Sequence, residues 1–465
     1  MSVNPAEPRP RYKPYRQYKD SGVEWLGEIP AGWILAALSR ITFSRCDGPF
    51  GTSLKSEHYS PSGVRVVRLQ NIGSAEFKDT DSAFIDETYA RQLGDHGVRA
   101  GDLLVAGLGD EAHPVGRACV APDGIEPAMV KADCFRFRLD HRRGLPRFVA
   151  YQMSSTAADT AGAMSTGATR SRMNLTTTST RHLALPSIEE QRHIADFLDR
   201  EMARIDGLVA KKERLIELLQ EKRSALITRA VTKGLDPNVP MKDSGVEWLG
   251  EIPAHWEVFS LRRLIAGIEQ GWSPVADDRV AGPDEWAVIK LSAVSKGRFL
   301  GEEHKALPAG LAPDRRFEIR EGDFLLTRAN TPELVGEVCV AREVRSHLML
   351  CDLVYRLHLT TERVVPDYLS YWLLSRSGRY QIEVDARGSS QSMVKISQGL
   401  IRAWTVVLPP PEEQRAIAEF ADLNTARLDA LVAKIRTAID RLRELRTALI
   451  SAAVTGKIDV RVESP

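Results

Sequence analysis

The chain repeats itself over most of its length. Residues 19–33 read KDSGVEWLGEIPAGW, and residues 242–256 read KDSGVEWLGEIPAHW, with His255 in place of Gly32. The first copy starts at residue 19 and the second at residue 242, so the offset is 223 residues. A repeat of this size decides how the whole chain is divided. It predicts two modules of the same fold.

Shorter matches follow in the same order inside each half. GDLL at 101–104 pairs with GDFLL at 322–326, and VGRACVA at 115–121 pairs with VGEVCVA at 335–341. Short apolar or alternating runs bounded by Gly, Pro and Asp predict strands, at residues 64–69, 102–106, 134–139 and 288–291. Residues 148–155 and 368–375 have a helical pattern. Each half is therefore predicted to be α+β. Conserved edges around diverged interiors favour modules that read different ligands, with drift after duplication as the alternative.

Each half ends in a predicted long helix. Residues 187–234 open with Ser187 and Glu190, which form a capping-box pattern, and close with Lys233 and Gly234. A helix over residues 189–231 would be roughly 65 Å long. The second helix, in residues 408–456, begins with Pro410 and Pro411, which suit a first helical turn.

Both helices carry apolar residues at heptad spacing in the same register. The first has two rows, Leu198, Ile205, Leu219 and Leu226, then Leu208 and Leu215. The second has Ala421, Leu428, Ile435, Leu442 and Leu449, then Leu431, Ala438 and Leu445. A narrow apolar seam requires a partner helix. The two helices are predicted to partner each other.

Composition narrows the class of protein. With 43% apolar and 27% charged residues and no apolar run near the ~18–20 residues of a membrane span, the chain is expected to be a cytoplasmic globular protein without membrane contact. Residues 1–18 are polar and proline-rich, and we expect a disordered tail rather than a secretory signal. Five cysteines without a Cys-x-x-Cys pair predict reduced thiols. A net charge of +1 means that any nucleic-acid footprint must be local.

Two tracts without carboxylates lie near the end of each half, between Asp159 and Glu189 and between Asp385 and Glu412. Basic side chains neutralise phosphates, and amide, hydroxyl and guanidinium groups reach base edges. A flexible loop is the alternative for these tracts, and ordinary strand-edge polarity is the alternative for the matching stretches 68–71 and 290–293. The predicted DNA contacts are Gln70, Asn71, Arg170, Arg172 and Asn174 in the first half, and Lys290, Ser292, Arg387, Gln391 and Lys395 in the second. Matching Gly167 to Gly388 sets Asn174 opposite Lys395.

Catalytic patterns are missing from the sequence. It contains no Gly-x-x-x-x-Gly-Lys-Ser/Thr phosphate loop, no Asp/Asn-Pro-Pro-Tyr/Phe tetrapeptide of amino-methylases and no Gly-x-Gly-x-x-Gly turn after a strand. Neither a nuclease-type carboxylate pair with Glu-x-Lys nor a His/Cys ligand cluster is present. We predict no catalytic residue and no metal site on this chain.

The doubled leader, the GDLL and VGRACVA pairs, and LPSIEEQRHIADFLD (185–199) with LPPPEEQRAIAEFAD (408–422) resemble the specificity subunits of type I restriction-modification systems. The resemblance covers about residues 18–456. It implies an α+β fold with two tandem target-recognition domains, joined by two long helices in an antiparallel intramolecular coiled coil. The implied divisions are tail 1–18, first recognition domain 19–185, central helix 186–234, second recognition domain 235–408, C-terminal helix 409–456 and tail 457–465.

The resemblance also implies a non-catalytic subunit that binds a bipartite, asymmetric site on double-stranded DNA, one half-site per domain, with the coil setting the gap. Its expected partners are two methyltransferase subunits and restriction subunits. S-adenosylmethionine, ATP and Mg would reside on those partners and none on this chain. Two alternatives remain: a single-chain methylase or nuclease with unrecognised motifs, and a coiled-coil adaptor without a DNA role. A thermal shift with S-adenosylmethionine would favour the first, and failure to enrich a split motif from random duplexes would favour the second.

Overall fold

The computed structural model describes residues 12–50, 53–164, 171–360, 362–386 and 393–463. It divides into two compact units, residues 1–211 with 437–465, and residues 212–436. Both divisions fall inside long helices, so each helix contributes residues to both units. None of the helices in the described part of the chain combines the length and apolar character that a membrane span requires.

The first unit is α+β, as predicted. Its strands are β1 Tyr12–Lys13, β2 Tyr18–Asp20, β3 Glu28–Pro30, β4 Ile34–Ala37, β5 Thr42–Cys46, β6 Tyr59–Ser60, β7 Val64–Val67, β8 Phe84–Ile85, β9 Gly97–Val98, β10 Leu103–Ala106, β11 Leu108–Gly109, β12 Ala118–Val120, β13 Ala128–Val130, β14 Cys134–Leu139, β15 Ser171–Arg172 and β16 His182–Leu185. Its short helices are α1 Glu87–Leu93, α2 Pro146–Ser155, α3 Ala157–Met164 and α4 Leu175–Thr180. The long helix α5, Ile188–Lys233, follows.

The second unit repeats this order. Its strands are β17 Met241–Asp243, β18 Glu251–Pro253, β19 Glu257–Ser260, β20 Ile265–Gln270, β21 Ala287–Ile289, β22 Val294–Ser295, β23 Arg298–Phe299, β24 His304–Ala306, β25 Phe324–Thr327, β26 Ala329–Asn330, β27 Val338–Val340, β28 Leu348–Met349, β29 Val354–Leu359, β30 Val394–Lys395 and β31 Thr405–Leu408. Its helices are α6 Pro366–Leu374, α7 Arg376–Asp385, α8 Gln398–Ala403 and the long helix α9, Pro411–Val454. Strand β32, Asp459–Glu463, returns to the first unit.

The two units share their sheet topology. A four-stranded sheet has the order β12-β10-β14-β5 in the first unit and β27-β25-β29-β20 in the second. A second sheet contains β8-β7-β13 and its counterpart β24-β21-β28, and β7 with β13 and β21 with β28 are parallel pairs. Internal duplication is therefore confirmed at the level of the fold.

The long helices are antiparallel within each unit. In the first unit Asp206 on α5 lies 3.5 Å from Arg446 on α9, so the beginning of α5 is beside the end of α9. In the second unit Arg223 on α5 lies 3.8 Å from Asp429 on α9, so the end of α5 is beside the beginning of α9. The predicted antiparallel pair of long helices is confirmed.

Only one of the two apolar rows is covered. Leu198 and Ile205 are buried, as are Ala421 and Ile435, in agreement with the predicted seam. The other row is largely exposed, at 37–53% for Leu208, Leu215, Leu431 and Leu445. The seam is therefore narrower than the heptad pattern predicted.

The repeated leader packs against the end of a long helix. Trp33 is 1% exposed and Trp256 is fully buried. Gly456, just beyond α9, has φ +74°, and a Cβ there would lie 2.3 Å from Pro30 Cδ. Gly234, just beyond α5, also has φ +74°, and a Cβ would lie 3.3 Å from Trp256. A left-handed glycine closes each helix, as predicted, and lets the leader approach.

Three expectations are corrected. Residues 12–18 and 459–463 are not tails, because β1 pairs antiparallel with β32 and Tyr12 is 8% exposed. Ser187 does cap α5, with its Oγ 3.3 Å from the N–H of Glu190, but the carboxylate of Glu190 does not return to Ser187. It accepts hydrogen bonds from Tyr15 and Trp33 instead.

The third correction concerns alignment within the repeat. Arg172 lies on β15, Lys395 lies on the corresponding strand β30, and the residue that caps the following helix is Asn174 in one unit and Ser397 in the other. Lys395 therefore corresponds to Arg172 rather than to Asn174. The sequence match was shifted by two residues because loops of unequal composition precede these strands.

Candidate nucleic-acid interface

The predicted contact Asn71 ends a 3-10 turn, Leu69–Asn71, that follows β7. Its side chain is fully buried. The Oδ1 atom accepts a hydrogen bond from the N–H of Arg68 at 2.9 Å, and Nδ2 donates to the carbonyls of Lys78 and Asp81 at 2.9 and 2.8 Å. No polar atom of Asn71 is left for a base edge, because the amide joins the turn to the next loop.

The predicted contact Gln70 is exposed on the same turn. Its Nε2 donates to Oδ2 of Asp81, and the Arg68 guanidinium pairs with that same oxygen. The side chains of Arg68 and Asp81 are 25% and 30% exposed. The turn therefore presents a cation, an amide and a carboxylate together.

The second unit has the same arrangement on its 3-10 turn, Leu291–Ala293. The predicted contact Ser292 donates from Oγ to Oε2 of Glu303 at 2.8 Å, and Lys290 Nζ lies 3.6 Å from that oxygen. The side chains of Lys290 and Glu303 are each 38% exposed. The hydrogen bond from Ser292 and then the charge of Lys290 lower the pKa of Glu303, so this carboxylate is ionised at neutral pH.

A second predicted contact strip runs along β15 and β30. Arg172 stands opposite Leu108 of β11, and Lys395 stands opposite Ala329 of β26. Arg172 is 53% exposed and donates from Nε to Asp133 at 3.0 Å. Lys395 is exposed. Both cations face solvent at corresponding places.

Asn174 has a local structural role. Its side chain accepts a hydrogen bond from the N–H of Thr177 at 2.7 Å and caps α4. Ser397 accepts from the N–H of Leu400 and caps α8 in the same way. Asn and Ser are favoured N-cap residues because their oxygen satisfies an unpaired helical N–H.

One buried arginine joins the turn and the strip in the first unit. Arg117 is 5% exposed and donates from Nε to Ile72 O at 2.7 Å and from NH2 to Leu69 O at 3.0 Å. Its NH1 donates to the carbonyls of Leu108 and His113 at 3.2 and 3.1 Å. Burial lowers the pKa of Arg117. This side chain fixes the turn against β11, which carries β15.

An open cleft of about 440 Å³ lies beside this arginine. Its lining is polar and mixed in charge, and includes Gln70, Lys78, Thr80, Asp110 and His113. The cleft adjoins both the turn with Gln70 and the strand beside Arg172. Two tracts that are about 100 residues apart in the sequence thus border one surface.

The second unit has a carboxylate where the first has this arginine. Glu337, in VGEVCVA, is 8% exposed and its Oε2 accepts from the N–H of Lys296 at 2.5 Å. Burial raises the pKa of Glu337. The interiors therefore differ in charge at corresponding buried positions, in line with the predicted divergence.

Aromatic rings and cations surround the first turn. Arg68 and Lys131 lie 5.8 and 5.5 Å from the ring centre of Tyr59, and Lys131 Nζ donates to the Tyr59 hydroxyl at 3.0 Å. Arg65 lies 5.3 Å from the ring centre of Phe77. Such stacking orders long cationic side chains at a surface.

Three predicted contacts, Arg170, Arg387 and Gln391, lie outside the described residues. Sequence reasoning also missed residues that the structure brings to the site, namely Arg68, Asp81, Arg117 and Glu303. The signal for Asp81 and Glu303 was their equal place in the repeat, 222 residues apart. Among the described residues no group of three or more His, Cys, Asp or Glu side chains is placed to hold a metal ion.

No family model matches the chain. It is 28% identical over 241 residues to the EcoEI specificity subunit of a type I restriction enzyme from Escherichia coli, across 52% of this chain and only 40% of that one. It is 21% identical over 444 residues to the StySPI specificity subunit of a type I restriction enzyme from Salmonella potsdam, across 94% and 92% of the two chains.

The fold is also found in a solved structure. A chain from a study of complex assembly and conformational transition in the type I R-M system superposes with a TM-score of 0.67 at 16% identity, across 92% of this chain and 99% of that one. The duplicated α+β units, the two long antiparallel helices and these full-length matches agree. The chain belongs to the family of type I restriction enzyme specificity subunits.

Proposed function

We propose that this chain recognises DNA by sequence and binds a bipartite, asymmetric duplex site, with each unit reading one half-site. The chain acts by recognition rather than by catalysis. Contacts to bases supply the specificity, and contacts to phosphates supply affinity and position.

One observation carries the proposal. Each of the two like-folded units presents a cation, a polar side chain and a carboxylate on the same 3-10 turn, with different residue types in each. Equal frames with unequal side chains fit two heads that read different base sequences. Arg172 and Lys395 add a solvent-facing cation at the same place in each unit and fit phosphate or guanine contacts.

The proposed partners are two methyltransferase subunits and restriction subunits, on which S-adenosylmethionine, ATP and Mg would act. Exposed leucines on the long helices support a protein partner there, since Leu215, Leu431 and Leu445 are 43–53% exposed. The wider activity follows only from assembly with those subunits.

The test is selection from a random duplex pool by the full-length chain, alone and purified with its methyltransferase, followed by mapping of N6-methyladenine in cells. Enrichment of one two-part motif with an unread gap is the expected result. A continuous motif would contradict reading by two heads. A pool that stays random under both conditions would contradict sequence recognition itself.

A further inference from the structure

We infer that Asp81 and Glu303 determine specificity: each carboxylate accepts a hydrogen bond from the exocyclic amino group of one base, N4 of cytosine or N6 of adenine, in the half-site that its unit reads. This inference rests on the proposed function. It names the acceptor and the chemical class of base that each unit selects.

The first support is recurrence. Asp81 and Glu303 lie 222 residues apart, and so do Arg68 and Lys290, and Gln70 and Ser292. Strand pairing agrees with this alignment, since Arg65 stands opposite Phe84 and Ala287 stands opposite Ala306. Both halves keep the same three kinds of group while every residue identity differs. A purely structural brace would have no need for such a change.

The second support is which oxygen is used. In the first unit Arg68 and Gln70 both contact Oδ2 of Asp81. In the second unit Lys290 and Ser292 both contact Oε2 of Glu303. The other oxygen, Oδ1 or Oε1, makes no hydrogen bond or ion pair with the described residues. With side chains 30% and 38% exposed, each carboxylate keeps one acceptor oxygen for a ligand.

The third support is chemical selectivity. An ionised carboxylate only accepts hydrogen bonds. In the major groove it pairs with the amino groups of cytosine and adenine and repels the keto oxygens of guanine and thymine. The neighbouring cation offsets its repulsion by phosphates, which an isolated acidic side chain on a DNA-binding surface would suffer.

The experiment compares half-site preferences of Asp81→Asn and Glu303→Gln in the full-length chain purified with its methyltransferase. An amide has nearly the same shape, but it also donates and so tolerates a keto base. We expect Asp81→Asn to lose roughly 10-fold or more of its discrimination at one position of one half-site. Glu303→Gln is expected to do so only in the other half-site.

Matched controls exist in both units. Asp79 pairs with Arg65 on the same loop and is 71% exposed, and Asp278 pairs with Lys305 and is 88% exposed. Asp79→Asn and Asp278→Asn are expected to leave both half-sites unchanged. If they relax the motif as strongly as the test variants, general charge rather than a specific acceptor is responsible and the inference is wrong.

A second measurement does not depend on selection by the variants. Removing the amino group from the selected base, with purine for adenine or 2-pyrimidinone for cytosine, should weaken binding by the natural chain roughly 10-fold and by Asp81→Asn little further. Independent, multiplying losses would overturn the inference, as would a uniform loss of affinity with unchanged motifs. A natural chain that selects no motif would instead refute the proposed function.

Discussion

Replacing Gln191 by leucine should destabilise the first unit through the loss of one three-way hydrogen-bonded joint. Gln191 is 1% exposed, at the start of α5. Its Oε1 accepts from the N–H of Leu145 at 2.8 Å, and its Nε2 donates to the carbonyls of Arg143 and Pro186 at 3.1 and 3.0 Å. The side chain therefore ties the residue before α2 to the residues before α5.

The magnitude follows from those three bonds. Each buried hydrogen bond contributes about 1 kcal/mol net, and orphaned partners carry a comparable desolvation penalty. Leucine has a similar volume and leaves one N–H and two carbonyls unpaired, so we expect a loss of about 3 kcal/mol of unfolding free energy. For a unit of this size, that lowers the melting temperature by roughly 6–12 °C.

The second unit offers an internal replicate. Gln414 is fully buried, its Oε1 accepts from the N–H of Val365 at 2.8 Å, and its Nε2 donates to the carbonyls of Arg363 and Pro409 at 2.9 and 2.8 Å. Gln414→Leu should therefore cost a similar amount. The two variants place the same loss in different units.

The assay is thermal unfolding with hydrogen exchange read by peptide. Gln191→Leu should speed exchange around residues 143–155, and Gln414→Leu around residues 363–374. Arg192→Leu, at the exposed neighbouring position, is the matched control and should change stability by no more than about 0.5 kcal/mol. If Gln191→Leu melts within a degree of this control, the reasoning from the three hydrogen bonds fails.

Three further outcomes are expected. Arg172→Ala should relax or weaken one half-site by about 1–3 kcal/mol in a binding selection, whereas equal loss on all sequences with a shallower salt slope would mark a phosphate contact. Inserting four residues after Lys212, with a matching insertion after Ile435, should alter the unread gap and not the half-sites, and an unchanged motif would contradict a spacing role for the helices. Burial raises the pKa of Glu337, so this acid lowers stability progressively as pH rises above the carboxyl range. Glu337→Gln should therefore be more stable than the natural chain at pH 8, with the difference closing towards pH 4 in urea unfolding.

Much of the fold was predictable because local signals and the repeat agreed. The strand expected at 134–139 is β14, Cys134–Leu139, and the helix expected at 148–155 is α2, Pro146–Ser155. Pro411 begins α9 and Gly234 follows α5, as helix-terminus chemistry requires. Such signals depend on neighbours within a few residues and survive without tertiary context.

The site was less predictable. Gln70 and Asn71 are adjacent polar amides on one turn, yet one is exposed and the other is fully buried. Asn174 has the composition of a contact residue but caps a helix. Neither outcome is encoded in residue type, because it depends on which carbonyls and N–H groups the adjoining loops bring near.

The sequence by itself determined the duplication, the α+β class of each unit, the two long helices and the family to which the chain belongs, since periodicity, capping residues and repeated motifs are local properties. Only the tertiary structure decided which side chains share a surface. Arg117 joins the turn at Leu69 to β11 at Leu108, and Asp81 comes to Arg68 across a loop. These contacts form because sheet pairing fixes distant segments side by side, and no spacing along the chain records which oxygen then remains open.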